Sequence, residues 1–381
     1  MTMSDTKQIL ADLVSFDTTS RNSNLELVSY VETYLARFGV ASRRIPDLAG
    51  HKANLWATIG EYGDGGIILS GHTDCVPVDG QAWSTEPYAL TEKDGRLYGR
   101  GACDMKGFLA SVLAAVPEIS RRKLSRPVHI AMSYDEETGC IGVRPLITEI
   151  ARLGCRPSAC IVGEPTSMGV VTAHKGGRAY RCSFEGLEAH SSLSPRGVNA
   201  IQFAARLVAI IDELGETLAL GPHDPDFDVG HSTISTNMIE GGSAINIVPR
   251  ACSFEFEFRN TADIDPDVLF DRIQQHADEV LLPLMRRKHP GASIRFEQIY
   301  EYPAFEIQDG HPLVKQARDL TGCNSRQKVA FGTEAGLFQR DLALPTIVCG
   351  PGSIALAHRP DEYVTIADLG ACDAFIRAMC V

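Results

Sequence analysis

Four short apolar runs, "GIILSGHTD", "PVHIAMSYDEE", "ACIVGEP" and "PTIVCGPGS", constrain this chain more than any other feature. Each is rich in Val and Ile and bounded by Gly or Pro. Such runs read as strands buried on both faces, the condition of a sheet covered by helices. Helical patterns lie between them, as in "MKGFLASVLAAVPEISRR", and amphipathic helices are expected at 4–15 and about 23–38. The alternation predicts an α/β fold with a mixed sheet flanked by helices.

The texture changes between 178 and 301. "RAYRCSFEG" alternates, "RGVNAIQFAARLVAIIDELGE" is helical, and "STISTNMIEGGSAINIVPRACSFEFEFRN" is two alternating runs around Gly241-Gly242, a hairpin signal. A helix with Asp263 or Asp265 as its cap follows, then the alternating "ASIRFEQIYE". This β-α-β-β-α-β order predicts a ferredoxin-like α+β domain at 178–301, inserted into an α/β domain made of 1–177 and 302–381.

In such sheets ligands bind beyond the carboxyl ends of the strands. The first run leads to His72-Thr73-Asp74 and the second to Asp135-Glu136-Glu137. The third leads to Glu164, and the fourth, after a short loop, to His358. Asp104 stands just before an apolar helix at 105–119. Taken singly, each is an ordinary polar turn residue. Together, acids and imidazoles at successive strand ends point to Zn²⁺ or a similar divalent ion. Two such ions would offset four or five carboxylates that otherwise repel. Neighbouring residues at a strand end point in opposite directions, so Glu136 and Glu137 should divide the work, one as ligand and one as free general base. Asp74, two residues from His72, is placed to receive its ring N–H. Metal-activated water, a polarised carbonyl and a proton-shuttling carboxylate make an amide hydrolase.

At these residues the chain resembles the M20 family of co-catalytic metallopeptidases and deacylases. The segments are "SGHTDCVPV", "GRGACDMKGFLA", "DEETG", "GEPT" and "AHRPDEY". The resemblance implies that His72, Asp104 and Glu164 hold one ion and that Asp104, Glu137 and His358 hold the other. It also implies that Glu136 is the general base and later the acid, that Asp74 orients His72, and that a cis peptide follows Asp104. The ions would be Zn²⁺, with Co²⁺ possible. Further segments, "AHSSLSPRGVNAI", "GGSAINIVPRACSFEFEFR" and "FGTEAGLF", resemble the amino-acid deacetylase branch. That branch implies a homodimer formed through the inserted domain, which also closes over the site. His190 would steady the oxyanion in a neighbouring subunit, or else cap the helix after it. Arg259 and Asn246 would bind the substrate α-carboxylate. Glu334 would meet a distal ammonium, shape the pocket, or serve as a helix N-terminal acid. The implied substrate is N2-acetyl-L-ornithine, cleaved to L-ornithine and acetate in arginine biosynthesis. The alternatives are removal of succinyl from N-succinyl-diaminopimelate, a broader action on N-acyl amino acids or dipeptides, and a metal-binding dimer without turnover.

The formal charge of −12 and the absence of a Lys/Arg run exclude a nucleic-acid partner. The start, "MTMSDTKQIL", lacks the pattern of a signal peptide, and no apolar run reaches membrane-spanning length. Eleven scattered cysteines without a CxxC read as reduced thiols, Cys103 among them as a packed one. A soluble cytoplasmic enzyme is expected.

Overall fold

The computed structural model describes residues 3–380 and divides into two compact units. One takes the chain up to His174, then Phe305–Lys328 and the stretch from Thr333 onward. The other takes Lys175–Ala304 with Val329–Gly332.

The first unit is built on a mixed sheet. Its strands lie in the order Ser42–Pro46, Ala53–Ile59, Val128–Ser133, Ile67–His72, Ala159–Val162, Thr346–Val348, Val171–His174, Phe305–Glu306. The four apolar runs are the four adjacent parallel strands at its centre, 128–133, 67–72, 159–162 and 346–348. Every residue of these strands is buried, because helices cover the sheet. Their parallel sense brings all four carboxyl ends to one edge.

Helix Gly107–Ile119 packs against strand Ile67–His72 and is apolar almost all round, so it lies inside. Pro117 within it has no N–H to give the Leu113 carbonyl, and the Tyr34 hydroxyl donates to that oxygen instead (3.1 Å). At Gly163, just before Glu164, a Cβ would stand 2.0 Å from the Phe108 ring. Only glycine lets this helix approach the end of strand Ala159–Val162 so closely.

The second unit carries a four-stranded antiparallel sheet in the order Thr233–Gly241, Ala251–Asn260, Gly176–Glu185, Ser293–Tyr302. Helices Ala200–Ala219 and Pro266–His276 follow the first and third of its strands in chain order, which is the ferredoxin-like β-α-β-β-α-β arrangement. Alternation along Ala251–Asn260 turns Phe254, Phe256 and Phe258 into the helix-facing core. Each such burial contributes about 1.5–3 kcal/mol. Asp265 caps the second helix, accepting from the Asp267 N–H (2.9 Å).

The hairpin expected around Gly241-Gly242 forms, with a long connection. Strand Thr233–Gly241 ends at Gly241, and its partner resumes only at Ala251. Ile247–Val248 between them leaves to pair with Ala189–His190, and Pro249 has no N–H for a ladder. All eleven cysteines are free thiols, and ten are buried. Among the described residues no helix is long and apolar enough to cross a membrane.

Candidate metal centre

The loop after strand Ile67–His72 is tied down from two sides. The Thr73 N–H (2.8 Å) and hydroxyl (2.7 Å) both donate to the Ser133 carbonyl on the neighbouring strand. Asn24 binds the Thr73 hydroxyl at 2.9 Å. His72 and Asp74 therefore project from a fixed backbone. His72 Nδ1 meets the Asp74 main-chain carbonyl at 2.9 Å and the Asp74 carboxylate only at 3.4 Å. The nearer orienting group is thus the peptide oxygen, not the side chain expected from spacing.

The Asp74 carboxylate is otherwise engaged. It accepts from the Ser20 hydroxyl (2.7 Å) and from the backbone N–H groups of Glu136 (3.2 Å) and Glu137 (3.3 Å). Burial pushes its pKa up, but the neighbouring His72 imidazole, and after it the bonds from Ser20 and the Glu136 N–H, hold it below the ordinary range. Asp74 thereby anchors the turn that presents both glutamates.

That turn separates the three consecutive acids. Asp135 takes a left-handed backbone (φ +54°) and turns to Lys52 (2.5 Å). Glu136 accepts from the Cys140 thiol (3.3 Å), and Glu137 reaches His358 Nε2 (2.9 Å). The divergence comes from a turn, closed by the Gly139 and Cys140 N–H groups on the Glu136 carbonyl, and not from strand pleating.

Asp104 occupies the middle of the cluster. One of its oxygens lies 3.0 Å from His72 Nε2, and the other lies 3.3 Å from His358 Nε2. Glu164 stands 3.7 Å from His72 Nε2. The peptide between Asp104 and Met105 is cis. The structure thus brings His72, Asp104, Glu136, Glu137, Glu164 and His358 to one edge of the sheet. Donor atoms of His72, Glu136 and Glu164 fall within 4.8 Å of one another, as do those of His72, Asp104 and Glu137. The first group contains Glu136, which the sequence reading keeps free as a base.

The donor set fits divalent cations. Oε1 of Glu137 and Oε1 of Glu164 are buried with no hydrogen-bond partner, a costly state that a cation relieves. Burial and the charges of its neighbours push Glu136 and Glu164 well above the carboxylate range, and Glu137 up to about 7. Hydrogen bonds to Asp104 and Glu137 raise His358 to about 10. Asp104 moves down: burial opposes the shift, but bonds from His358 and His72 outweigh it.

A cluster of this kind stores protons in place of metal, and metal uptake must displace them. Calorimetric titration of Zn²⁺ at pH 7.5 should release at least about one proton per ion, read from the dependence of the heat on buffer ionisation enthalpy. The sign follows from the raised values: as pH falls through about 7, Glu137 gains its proton and apparent affinity drops. A buffer-independent heat would contradict this protonation pattern.

Of the remaining expected residues, Glu334 belongs to the first unit and its charge acts on Glu136. Glu334, at the N-terminal end of helix Ala335–Leu342, is 1% exposed, with the Ser70 hydroxyl at 3.5 Å, and burial pushes it up to about 7. His190, Asn246 and Arg259 belong to the second unit. His190 Nδ1 accepts from the Ser192 N–H and so caps a short 3₁₀ turn, while the Asn246 carbonyl accepts from Ser191 (2.9 Å). Arg259 bonds Glu257 (3.0 Å) and the Tyr302 hydroxyl. Sequence reasoning missed Ser20 and Lys52. Each is an unremarkable residue type, and only the fold places it beside an acid.

A helix-flanked mixed sheet gathers the buried His72, the exposed His358 and four carboxylates at its carboxyl edge, a donor set suited to divalent metal. Residues 68–380 match Peptidase family M20/M25/M40. An acetylornithine deacetylase of Photorhabdus laumondii is 34% identical over 367 residues, covering 96% of this chain and 91% of that protein. One of Yersinia pseudotuberculosis is 36% identical over 357 residues, covering 92% and 89%. Among solved structures, an M20 family metallo-carboxypeptidase of Sulfolobus solfataricus superposes with a TM-score of 0.77 at 18% identity, covering 99% of this chain and 98% of that one. A Bacillus subtilis protein described as a dinuclear metal binding peptidase from the M20 family superposes at 0.71 and 13% identity, covering 99% and 97%. The chain belongs to Peptidase family M20/M25/M40 and is a metal-dependent amide hydrolase.

Proposed function

We propose that the chain removes the acetyl group from N2-acetyl-L-ornithine, giving L-ornithine and acetate, a step of arginine biosynthesis. The observation that carries the chemistry is the division of Asp104, one oxygen toward His72 and the other toward His358, with Glu136 beside them. His72, Asp104 and Glu164 would hold one ion; Asp104, Glu137 and His358 would hold a second. Zn²⁺ suits this mix of nitrogen and oxygen donors, and Co²⁺ is acceptable. When bound, the ions supply Lewis acidity toward water and the amide carbonyl.

Glu136 takes a proton from the attacking water as the water oxygen bonds to the acetyl carbon. It returns that proton to the nitrogen as the C–N bond breaks. Asp74 contributes indirectly, by fixing the Glu136–Glu137 turn and, with its own carbonyl, the His72 ring. His190 of the partner subunit steadies the oxyanion in a homodimer formed through the second unit. Arg259 and Asn246 bind the α-carboxylate, a task for which the planar guanidinium is shaped. Glu334, being buried, shapes the site from within rather than touching the ammonium. Eleven free thiols support a cytoplasmic location.

The relatives named above support the substrate. The test is a turnover panel of N2-acetyl-L-ornithine, N-succinyl-diaminopimelate and several N-acetyl amino acids. The reading predicts the highest kcat/KM for N2-acetyl-L-ornithine; a preference for the succinyl compound would discard it.

A further inference from the structure

The loops that carry Asp104 and His358 close on one buried ion pair. Glu362 and Arg100 are each 1% exposed, and Arg100 Nη1 donates to Glu362 Oε2 at 2.6 Å. The other Glu362 oxygen accepts from the backbone N–H groups of Cys103 (2.8 Å) and Asp104 (3.0 Å). Oε2 also accepts from the Gly101 N–H (3.2 Å). One carboxylate therefore gathers three main-chain donors from the turn that ends at Asp104. Pairing of strand Tyr363–Thr365 with Arg96–Tyr98 delivers Glu362 to this turn.

The same pair reaches His358. Arg100, lying over the Trp83 ring, donates through Nη2 to Gln81 Oε1 (2.5 Å), and Gln81 Nε2 donates to the His358 carbonyl (3.1 Å). His358 has φ +61°, a left-handed backbone that costs a non-glycine residue energy and needs a fixed partner to persist. Glu362, Arg100 and Gln81 thus form a continuous link from the Asp104 N–H to the His358 C=O. The side chains of those two residues meet at 3.3 Å on the far side. A buried ion pair is a weak way to stabilise a fold. What this one supplies is a rigid acceptor for backbone groups that set the positions of two donors.

We propose that Glu362, Arg100 and Gln81 are positioning residues that fix the spacing of Asp104 and His358 and so set the affinity for the metal pair. The proposal rests on the ligand roles given above for Asp104 and His358. Because Asp104 faces both imidazoles, disturbing Glu362 should weaken both ions. Disturbing Gln81 should weaken only the ion held with His358.

Equilibrium dialysis with Co²⁺ on the full chain tests this, using wild type, Glu362→Gln, Gln81→Ala and, as a control, His358→Ala. In Glu362→Gln an amide donor faces either Arg100 and the Gly101 N–H or the Cys103 and Asp104 N–H groups, so one pair of bonds is lost in either orientation. Both Co²⁺ dissociation constants should rise about 10–100-fold, the range for loss of an outer partner. Gln81 is half-buried, so Gln81→Ala carries the test should Glu362→Gln not fold. It should raise one dissociation constant about 10-fold and leave the other within about 2-fold. Co²⁺ constants unchanged in the folded variants, even with a lower melting temperature, would reduce the pair to a structural role and overturn the proposal. So would equal weakening of both ions by Gln81→Ala. Wild-type Co²⁺ binding in His358→Ala would show instead that the ligand assignment is wrong, and the positioning role would fall with it.

Discussion

Glu136→Gln should lower kcat about 10²–10⁴-fold and leave the bound metal unchanged. The substitution keeps the shape of the side chain and an oxygen that can accept from the Cys140 thiol, which lies 3.3 Å from Oε1. It removes the ability to take a proton from water and return it to the leaving nitrogen. Metal content matters as much as rate, because Glu136 shares a donor group with His72 and Glu164. If Glu136 ligates, glutamine, a poorer donor than carboxylate, will lower the metal content along with the rate. If it is the base, content stays and turnover falls. Elemental analysis beside steady-state kinetics on one preparation separates the two. Full turnover by the variant would exclude the base role.

Asp104→Asn should be more damaging still, because it removes the carboxylate that both imidazoles face. Affinity for both ions should drop by more than about 100-fold, beyond the cost of an outer partner, and turnover should fall with it. The metal-free protein provides an independent readout. Hydrogen bonds to Asp104 and Glu137 raise His358 to about 10. Loss of the Asp104 carboxylate should bring its NMR titration down toward the ordinary histidine value of about 6.5. The stability sign follows. A histidine raised in the folded state contributes fully below about pH 6.5, and that contribution is lost as pH rises through its folded-state value. The variant should therefore lose metal-free stability at low and neutral pH and differ least from wild type at high pH. An unshifted His358 titration would show that Asp104 does not face it in solution.

Much of this architecture was legible in the sequence because it rests on local pattern. Continuous apolar runs mark strands buried on both faces, and the four runs are the four parallel strands at the sheet centre. Since parallel strands share a direction, the polar residues after them had to meet at one edge. The second unit was legible from its alternation for the same reason. What was not legible depends on contacts distant in sequence or on backbone conformation. No local rule joins Asp135 to Lys52, 83 residues away, or the Glu136–Glu137 turn to Asp74, 62 residues away from Glu136. Strand pleating led to the right expectation that Glu136 and Glu137 diverge, for the wrong reason, since a left-handed Asp135 turns the chain there. The glycine pair at 241–242 marked the hairpin, which forms from Thr233–Gly241 and Ala251–Asn260, but not that Ile247–Val248 in its connection pairs with Ala189–His190. Glu334 read as a pocket acid or helix-end charge, and only its burial shows that it lies within the unit.

The central claim is that the acids and imidazoles at the sheet edge work through metal on an acetyl amide. It is tested most directly by following turnover of N2-acetyl-L-ornithine with the purified protein as isolated, after chelation, and after Zn²⁺ or Co²⁺ is restored. The account predicts that hydrolysis disappears with the metal and returns with it, in proportion to metal bound. Undiminished turnover by the stripped protein would contradict it.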